Sequence, residues 1–387
     1  MKVAISTARQ AHYRLPANAF VRLGHQVTMY TSTPPSRLKG FDPAVRNKFV
    51  PAPVTLVNGL TRITMPVWLN DLDCAIYDRL AAALVKDCQL LVGASTSCLD
   101  TGKAVQRQGG TYVVDRACPD IRVQQAMMVE EAKKVGGVFR TNAAWFIERQ
   151  VEEYEQADLI LSPSRYSSST FPAHLQKKIC LAPLFGRARV AERRKKPAGS
   201  PFVVGVVGGQ PLRKGYLYLL QAWQQLALPN AQLKIRTSAD FSPYPLLTKL
   251  VADQPNVSLI SYVPDISDFY AECDAFILPS IDDGFGMALF EALANGVPSI
   301  ATHNCGASEL LVNGRNAILI DAFSVDQIKD SIQTLYESLE LRARYEQAGP
   351  GAVANLQSGE SAALYDAGID RLLARAQGLR ETTPQIV

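Results

Sequence analysis

The sequence is poor in the side-chain groupings that define metal and disulfide proteins. Its 387 residues include 4 histidines, and no His or Cys cluster has the spacing of metal ligands. The 7 cysteines are scattered and never paired as Cys-x-x-Cys; they are Cys74, Cys88, Cys98, Cys118, Cys180, Cys273 and Cys305. This pattern argues against a disulfide framework and a zinc site. It predicts free buried thiols in a reducing compartment.

The sequence also lacks long apolar runs. No stretch is long enough for a signal peptide or a membrane span, and the first residues, MKVAIST, run directly into a strand pattern. The formal charge of +4 is small for this length and gives no reason to expect a nucleic-acid partner. We therefore expect a cytoplasmic protein that does not bind nucleic acid.

The sequence is rich in short apolar strands that alternate with helical patterns. Alternation of this kind builds parallel sheets with helices on both faces, and the length suits two such domains. Strands are predicted at 3–6, 26–31, 90–93, 112–115, 159–162, 202–207, 233–237, 257–260, 275–278, 299–301 and 317–320. Helices are predicted at 71–86 and 141–156, among others. Each half of this α/β protein is thus expected to form a Rossmann-like sheet.

A charged stretch that contains Pro and Gly divides the two halves. Residues 186–201, GRARVAERRKKPAGSP, interrupt the periodicity just before a fresh apolar strand. We predict an N-terminal domain at 1–186, a basic linker at 187–200 and a C-terminal domain at 201–387. The last helices of the chain are candidates to pack back on the first domain. Ligands of open α/β sheets bind at the carboxyl ends of the strands, so a site is expected in the cleft between the domains.

The segment 274–310 combines two carboxylates, a glycine-bounded loop and a helix start. Residues 275–278 predict a buried strand, and residues 287–294 predict a helix that Gly296 ends. The first backbone amides of that helix have no intrahelical partner, so with the helix dipole they form an anion site suited to a diphosphate. The ligand-binding candidates here are Gly284, Phe285, Gly286, Met287 and Ala288.

Two carboxylates are placed around this helix start. Asp283 precedes the helix, and Glu291 lies inside it among apolar neighbours. A buried carboxylate needs partners, and the two hydroxyls of a ribose would donate to Glu291. The alternatives are an ordinary N-cap for Asp283 and a solvated helix position for Glu291.

These residues resemble the E-x7-E signature of family 4 glycosyltransferases, which are retaining enzymes of the GT-B architecture. Asp283 stands where the family usually has its first Glu, and Glu291 is the second. Residues 206–226 resemble the family's element of glycines, a basic pair and Lys-Gly, and residues 115–136 resemble an N-domain element of one branch. The resemblance implies a GT-B fold, in which two Rossmann-like domains face each other across a cleft.

The resemblance also implies hexosyltransferase-like transfer of a sugar from a nucleoside-diphosphate sugar to an acceptor hydroxyl, with retention. Lys214 and Arg213 would neutralise the leaving diphosphate, and Asp283 would bind sugar hydroxyls. Cations and a helix dipole can stabilise this leaving group without a metal or another cofactor. Gly208 or Gly209 stands where many members carry a further phosphate-binding Arg, with Gly209 as the candidate, and Tyr262 lies where the base would stack. A surface basic pair and a plain turn are the respective alternatives for the cations and for Tyr262.

The first domain is expected to bind the acceptor, which would be a glycan, a glycolipid or a small molecule. Asp120 stands where the resembling branch has a His near the transferred sugar, and Arg116 lies close by. His12 belongs to a first βα turn that lacks the family's glycine pair, and it is a candidate substitute. An exposed loop position is the alternative for Asp120 and His12. The one Asp-x-Asp motif, residues 71–73, heads a helical pattern, so N-capping explains it better than metal binding.

Two other functions stay open. A nucleotide-sugar epimerase shares this architecture and a diphosphate site. A binding or regulatory protein of the same fold would have lost catalysis through the changes at Asp120 and Asp283.

Basic residues near the domain boundary suggest peripheral contact with the anionic inner face of a membrane. They are Arg187, Arg189, Arg193, Arg194, Lys195 and Lys196, with Lys177 and Lys178 elsewhere in the sequence. A solvated linker face is the alternative, because no apolar helix face with Trp or Phe accompanies the run.

Overall fold

A computed structural model describes residues 1–8, 12–53, 66–184, 188–191, 196–357 and 359–382. The described strands form two parallel sheets with helices packed on them. Central strands such as 90–94 and 275–278 are buried at every position, as expected for a sheet covered on both faces. The prediction of two Rossmann-like domains is confirmed.

The first sheet has seven strands in the order β3-β2-β1-β4-β5-β6-β7. The strands are β1 Lys2–Thr7, β2 Gln26–Thr31, β3 Arg46–Phe49, β4 Leu90–Ala94, β5 Thr111–Asp115, β6 Leu159–Ser162 and β7 Ile179–Leu181. Val3 of β1 lies opposite Val27 on one side and Leu90 on the other. The chain therefore changes direction across the sheet between β1 and β4, and ligands bind at such a switch point.

Seven helices belong to the first half of the described chain. They are α1 Arg14–Arg22, α2 Val67–Leu84, α3 Leu99–Arg107, α4 Ile121–Lys134, α5 Ala144–Gln156, α6 Arg165–Ser169 and α7 Ala173–Gln176. Close helix packing depends on Gly102 in α3, where an added Cβ would lie 2.4 Å from the ring of Tyr112 in β5. The glycine thus lets α3 approach the sheet.

The second sheet has six strands in the order β10-β9-β8-β11-β12-β13. They are β8 Phe202–Val207, β9 Ala231–Arg236, β10 Val257–Ile260, β11 Ala275–Leu278, β12 Ser299–Thr302 and β13 Ile318–Ile320. The helices are α8 Tyr216–Leu226, α9 Pro245–Ala252, α10 Ile266–Ala271, α11 Met287–Ala294, α12 Val325–Glu337 and α13 Leu339–Gln357. The carboxyl ends of β8 and β11, which are neighbours in the sheet, carry the loops that form the candidate site.

The last described helix, α14 Gly359–Thr382, packs on α1 and β7 of the first domain. Arg22 donates to both carboxylate oxygens of Asp366, at 2.9 and 2.6 Å. Tyr365 and Ile369 are buried in one apolar cluster with Phe20. The chain therefore crosses between the domains a second time after completing the second sheet.

The largest differences from the predicted elements are at two edge strands and one helix start. Strands β3 and β7 were not predicted, since RNKF is exposed throughout and β7 has three residues. Helix α2 begins at Val67, so Asp71 lies inside it. The carboxylate of Asp71 instead accepts hydrogen bonds from Asn142 Nδ2 at 2.6 Å and from the amide of Ala143 at 2.8 Å. The prediction that Asp71 caps the helix in which it lies is therefore wrong. Asp71 instead stabilises the start of a different helix, α5.

Part of the basic linker packs on the second domain. Arg189 lies 2.9 Å from Asp265, and Lys196 lies 2.5 Å from Asp274. The other basic residues of the run, Arg187, Arg193, Arg194 and Lys195, lie outside the described residues. In the described chain, none of the helices combines the length and the apolar character that a bilayer crossing requires.

Candidate active site

The loop between β11 and α11 has a backbone that requires glycine at two positions. Gly286, which precedes α11, has φ +86°, and an added Cβ would lie 2.2 Å from Cys305 Sγ. At Gly284 an added Cβ would lie 2.0 Å from the carbonyl oxygen of Ala117 in the first domain. The loop therefore touches the opposite domain directly, and the helix start faces the cleft.

Asp283 is buried in this loop and is ion-paired with Lys214. Its carboxylate also accepts a hydrogen bond from the amide of Gly286. Burial alone would raise the pKa of Asp283, but the charges of Lys214 and Arg213 and the hydrogen bonds outweigh it and lower the pKa below its ordinary value. Asp283 is therefore ionised at neutral pH.

Lys214 reaches Asp283 because glycines make room for it. An added Cβ at Gly208 would lie 2.6 Å from Cγ of Lys214. Gly215 has φ +66°, and an added Cβ would lie 2.0 Å from the carbonyl oxygen of Pro279 at the end of β11. The loop after β8 is thereby pressed against the loop after β11, and the predicted Lys214 and Asp283 meet.

Glu291 lies on α11 and is half-buried. The hydroxyl of Tyr270 donates to Glu291 Oε2 at 2.9 Å and orients the carboxylate. Burial raises the pKa of Glu291, and the hydrogen bond from Tyr270 only partly opposes this effect. Glu291 is neither fully solvated nor fully paired, so it can accept further hydrogen bonds.

The other predicted residues of the second domain follow the carboxyl ends of strands β8, β10 and β11. Phe285 is buried, whereas Met287 and Ala288 are partly exposed in the first turn of α11. Gly209 is exposed in the loop after β8, and Tyr262 is 71% exposed just after β10. The exposed ring of Tyr262 leaves a face free for stacking, while Phe285 supports the loop from inside.

Arg213 binds a carboxylate that the sequence analysis did not single out. Its Nε donates to Asp282 Oδ2 at 3.2 Å, and Gln124 Nε2 from α4 of the first domain donates to the same oxygen at 2.7 Å. Asp282 is fully buried, and among the described atoms its Oδ1 has no hydrogen-bond partner. Asp282 therefore joins the two domains. The signal in the sequence that could have identified Asp282 is its place beside Asp283, just after a predicted buried strand.

In the first domain, Asp120 is neither exposed nor in a free loop. It is 1% exposed, and its Oδ1 accepts from the amide of Arg122 at 2.8 Å as the N-cap of α4. Its carboxylate also pairs with the guanidinium of Arg122. The alternative of an exposed loop carboxylate is wrong, because the helix start and Arg122 hold Asp120 inside.

His12 binds Asp115 at the carboxyl end of β5, with 2.7 Å between His12 Nε2 and Asp115 Oδ2. Burial lowers the pKa of His12, but the charge and hydrogen bond of Asp115 more than offset this and raise it. His12 is thus a positioned imidazole at the sheet end. The described residues hold no group of three or more His, Cys, Asp and Glu side chains arranged for a metal ion.

A cavity of about 450 Å³ lies beside these loops, between the two domains. Helices α4 and α5 of the first domain form one wall, and the loops after β8 and β9 form the other. Arg116, Gly209 and Arg213 are among the lining residues. The volume is in the range of small-molecule sites. The cleft thus contains the paired charges at α11 and, next to them, a space for a ligand.

Comparison with known proteins agrees with this geometry. Residues 189–351 match the family model described as glycosyl transferases group 1. The capsular polysaccharide biosynthesis glycosyltransferase CapM of Staphylococcus aureus is 30% identical over 175 residues, which are 43% of this chain and 45% of CapM. A D-inositol 3-phosphate glycosyltransferase of Paenarthrobacter aurescens is 29% identical over 96 residues, 25% of this chain and 22% of that protein. The chain spans less than half the length of these relatives.

Solved structures resemble the chain over almost its whole length. Sucrose-phosphate synthase from Thermosynechococcus elongatus superposes with a TM-score of 0.74 at 18% identity, covering 97% of this chain and 99% of that one. WaaG, a glycosyltransferase involved in lipopolysaccharide biosynthesis, superposes with a TM-score of 0.64 at 15% identity, covering 95% and 98%. The chain therefore has the GT-B fold of glycosyltransferases. Its second domain carries the group 1 match.

Proposed function

We propose that this protein is a retaining glycosyltransferase of family 4 that moves a sugar from a nucleoside-diphosphate sugar to an acceptor hydroxyl. The observation that carries the proposal is the meeting of Lys214 and Asp283 at the start of α11, with Glu291 farther along the same helix. Structures of Anabaena HepE, which share the fold at TM-scores of 0.67 and 0.65, contain UDP and UDP-glucose. They support a sugar nucleotide as the donor.

The donor would lie along the second domain. Glu291, oriented by Tyr270, accepts hydrogen bonds from the ribose hydroxyls, and the exposed ring of Tyr262 stacks on the base. The diphosphate meets the amides of Met287 and Ala288, which the helix leaves without acceptors of its own.

Lys214 and Asp283 would exchange partners when the donor binds. Lys214 turns its ammonium group to the diphosphate, where negative charge grows as the glycosidic bond breaks, and Arg213 adds its charge from the adjacent position. Asp283 then accepts hydrogen bonds from sugar hydroxyls. In this account the departing phosphate takes the proton of the acceptor hydroxyl, and no metal ion takes part.

The first domain would bind the acceptor. Arg116 lines the cavity beside Arg213, and His12 lies at the carboxyl end of β5. Asp120 contributes through the start of α4, where it holds Arg122. The transferred sugar would pass from the loop at Gly284 into this half of the cleft.

Incubation with a panel of sugar nucleotides tests the proposal. Release of nucleoside diphosphate that increases when acceptors are added supports transfer. A changed sugar without release indicates an epimerase, and binding without any reaction indicates a non-catalytic protein. Chelation with EDTA should leave the activity intact. Loss of activity that magnesium or manganese restores would contradict the metal-free account.

A further inference from the structure

The cavity between the domains contains a buried cation, Arg116, that forms no ion pair with the residues that the structure describes. Arg116 donates to the carbonyl oxygen of Pro119 at 2.9 Å, to Gln124 Oε1 at 3.0 Å and to Gln150 Oε1 at 3.5 Å. All three acceptors are neutral, and the described residues form no ion pair with Arg116. A buried charge that lacks a counter-charge is costly, so the site favours an incoming anion.

The carboxylates near Arg116 bind other groups. Asp282 influences it electrostatically, but Asp282 is ion-paired with Arg213. Asp240, an acidic residue that lines the cavity, is exposed and binds its own turn through Ser242. Among the described residues, Arg116 thus has no carboxylate bound directly to it.

A second observation concerns Gln150 on α5. Gln150 lines the cavity and is 1% exposed, and its Nε2 has no hydrogen-bond partner among the described atoms. A buried donor without an acceptor is unfavourable, so a ligand oxygen that reached this amide would stabilise it. The guanidinium of Arg116 and this amide lie side by side, because Arg116 donates to the other end of the same carboxamide.

We propose that Arg116 and Gln150 form a binding site for an anionic group, a phosphate or a carboxylate, and that the acceptor carries this group. Gln124 and Arg213, which line the same cavity, both bind Asp282, the residue before Asp283. An acceptor anchored at Arg116 would therefore present its hydroxyls next to the transferred sugar. The assignment to the acceptor rests on the proposed transferase activity, whereas the anion site itself does not.

Inorganic phosphate is the probe for the anion site. Calorimetric titration of the full chain should show binding in the millimolar range. Gln150→Glu places a carboxylate against Arg116 without removing a hydrogen bond, because Nε2 makes none, and it should weaken phosphate binding about tenfold or more. Gln225→Glu adds the same charge at an exposed position of α8, and it should leave phosphate binding unchanged.

Phosphate can also bind at the start of α11, where Lys214 lies. Each titration is therefore repeated with the Lys214→Ala variant, in which that second site is weakened. The component that is sensitive to Gln150→Glu should persist there. Arg116→Gln should abolish it, and Arg116→Lys should retain part of it, with the unfolding midpoint recorded for every variant. Absence of phosphate binding in the wild type would overturn the site, as would equal binding by the wild type and the folded Gln150→Glu variant.

The assignment of the anion site to the acceptor is tested by measuring the release of nucleoside diphosphate from the donor. Sugar phosphates, uronates and neutral sugars are compared as acceptors, and a preference for one anionic set identifies phosphate or carboxylate as the recognised group. Gln150→Glu should raise KM for that set more than it lowers kcat. Equal use of neutral and anionic sugars would overturn the acceptor assignment. Failure of nucleoside diphosphate release with every donor would contradict the transferase proposal and leave the phosphate titration to decide the anion site.

Discussion

The ammonium group of Lys214 is bound to the carboxylate of Asp283, which also accepts a hydrogen bond from the backbone amide of Gly286. Two charged groups on separate loops thus neutralise each other beside the start of α11. In the proposed function the donor separates them, because each binds a different part of the sugar nucleotide. The predictions for these two residues follow from that exchange.

Asp283→Asn should damage sugar transfer and leave affinity for the bare nucleoside diphosphate nearly intact. The amide keeps an acceptor for the Gly286 amide but loses the charge that binds sugar hydroxyls, and hydrogen bonds to a charged group contribute about 1.5–3 kcal/mol. Turnover and the thermal midpoint are measured on the same preparation. Near-normal turnover would assign Asp283 to the start of α11 alone, since Asn caps a helix about as well as Asp.

Lys214→Ala should depress kcat more than it weakens donor binding. The charge that Lys214 balances grows in the transition state, so its loss affects the chemical step most. Steady-state kinetics and calorimetry with the donor separate the two effects. Lys249→Ala, which removes an exposed lysine paired with Asp253, is the matched control and should behave as the wild type. A Lys214→Ala variant with weaker donor binding and normal kcat would contradict the proposed role.

Glu291→Ala should weaken binding of the nucleoside diphosphate by about 1.5–3 kcal/mol, because it removes a charged acceptor of ribose hydroxyls. Calorimetry with the free nucleoside diphosphate measures this directly. An unchanged dissociation constant in a folded variant would remove Glu291 from the donor site.

The pH dependence of donor binding gives an independent test of Glu291. Its pKa is raised, so the carboxylate takes up a proton at a higher pH than an ordinary Glu does. Affinity that depends on the ionised form should be complete above this raised pKa and decline as the pH falls through it. Glu291→Gln should remove that part of the decline. Parallel pH profiles for the wild type and Glu291→Gln would show that another group is responsible.

Gly284→Ala should reduce turnover by holding the domains apart. The added Cβ would meet the carbonyl oxygen of Ala117 at 2.0 Å, and a backbone atom in the opposite domain cannot yield as a flexible side chain does. Gly351→Ala is the control, because its Cβ would meet no atom within 4 Å. X-ray scattering measures whether the variant is more open. Wild-type turnover and an unchanged scattering profile would mean that this contact does not govern closure.

Much of the fold follows from local sequence, because buried parallel strands are continuous apolar runs. Strands β6, β8 and β11 coincide with their predicted bounds for this reason. Strand β3 has the sequence RNKF and is exposed throughout. Its pairing with β2 depends on backbone hydrogen bonds, which the pattern of side chains does not predict. The edge strands of the first sheet, β3 and β7, were accordingly the strands that the sequence analysis did not predict.

The site was predictable where its residues are neighbours in the chain. Asp283 and Glu291 lie around one loop and one helix, and Lys214 stands beside a glycine that marks a tight turn. The links across the cleft were not predictable. The bond from Gln124 to Asp282 joins residues that approach only after both domains have folded. The exposed-loop alternative for Asp120 was wrong for a related reason, since its burial depends on how α4 meets the rest of the first domain.

Helix α14 has a consequence for the order of folding during synthesis. Tyr365, Ile369 and Leu372 complete the same apolar cluster as Phe20 and Ala17 of α1. Domains generally fold from the N-terminus as the chain emerges from the ribosome, yet this face of α1 remains uncovered until residues near 372 have been made. The first domain thus begins to fold first and is completed last. A nascent chain arrested after β13 would expose the apolar face of α1, which is the kind of surface that chaperones bind.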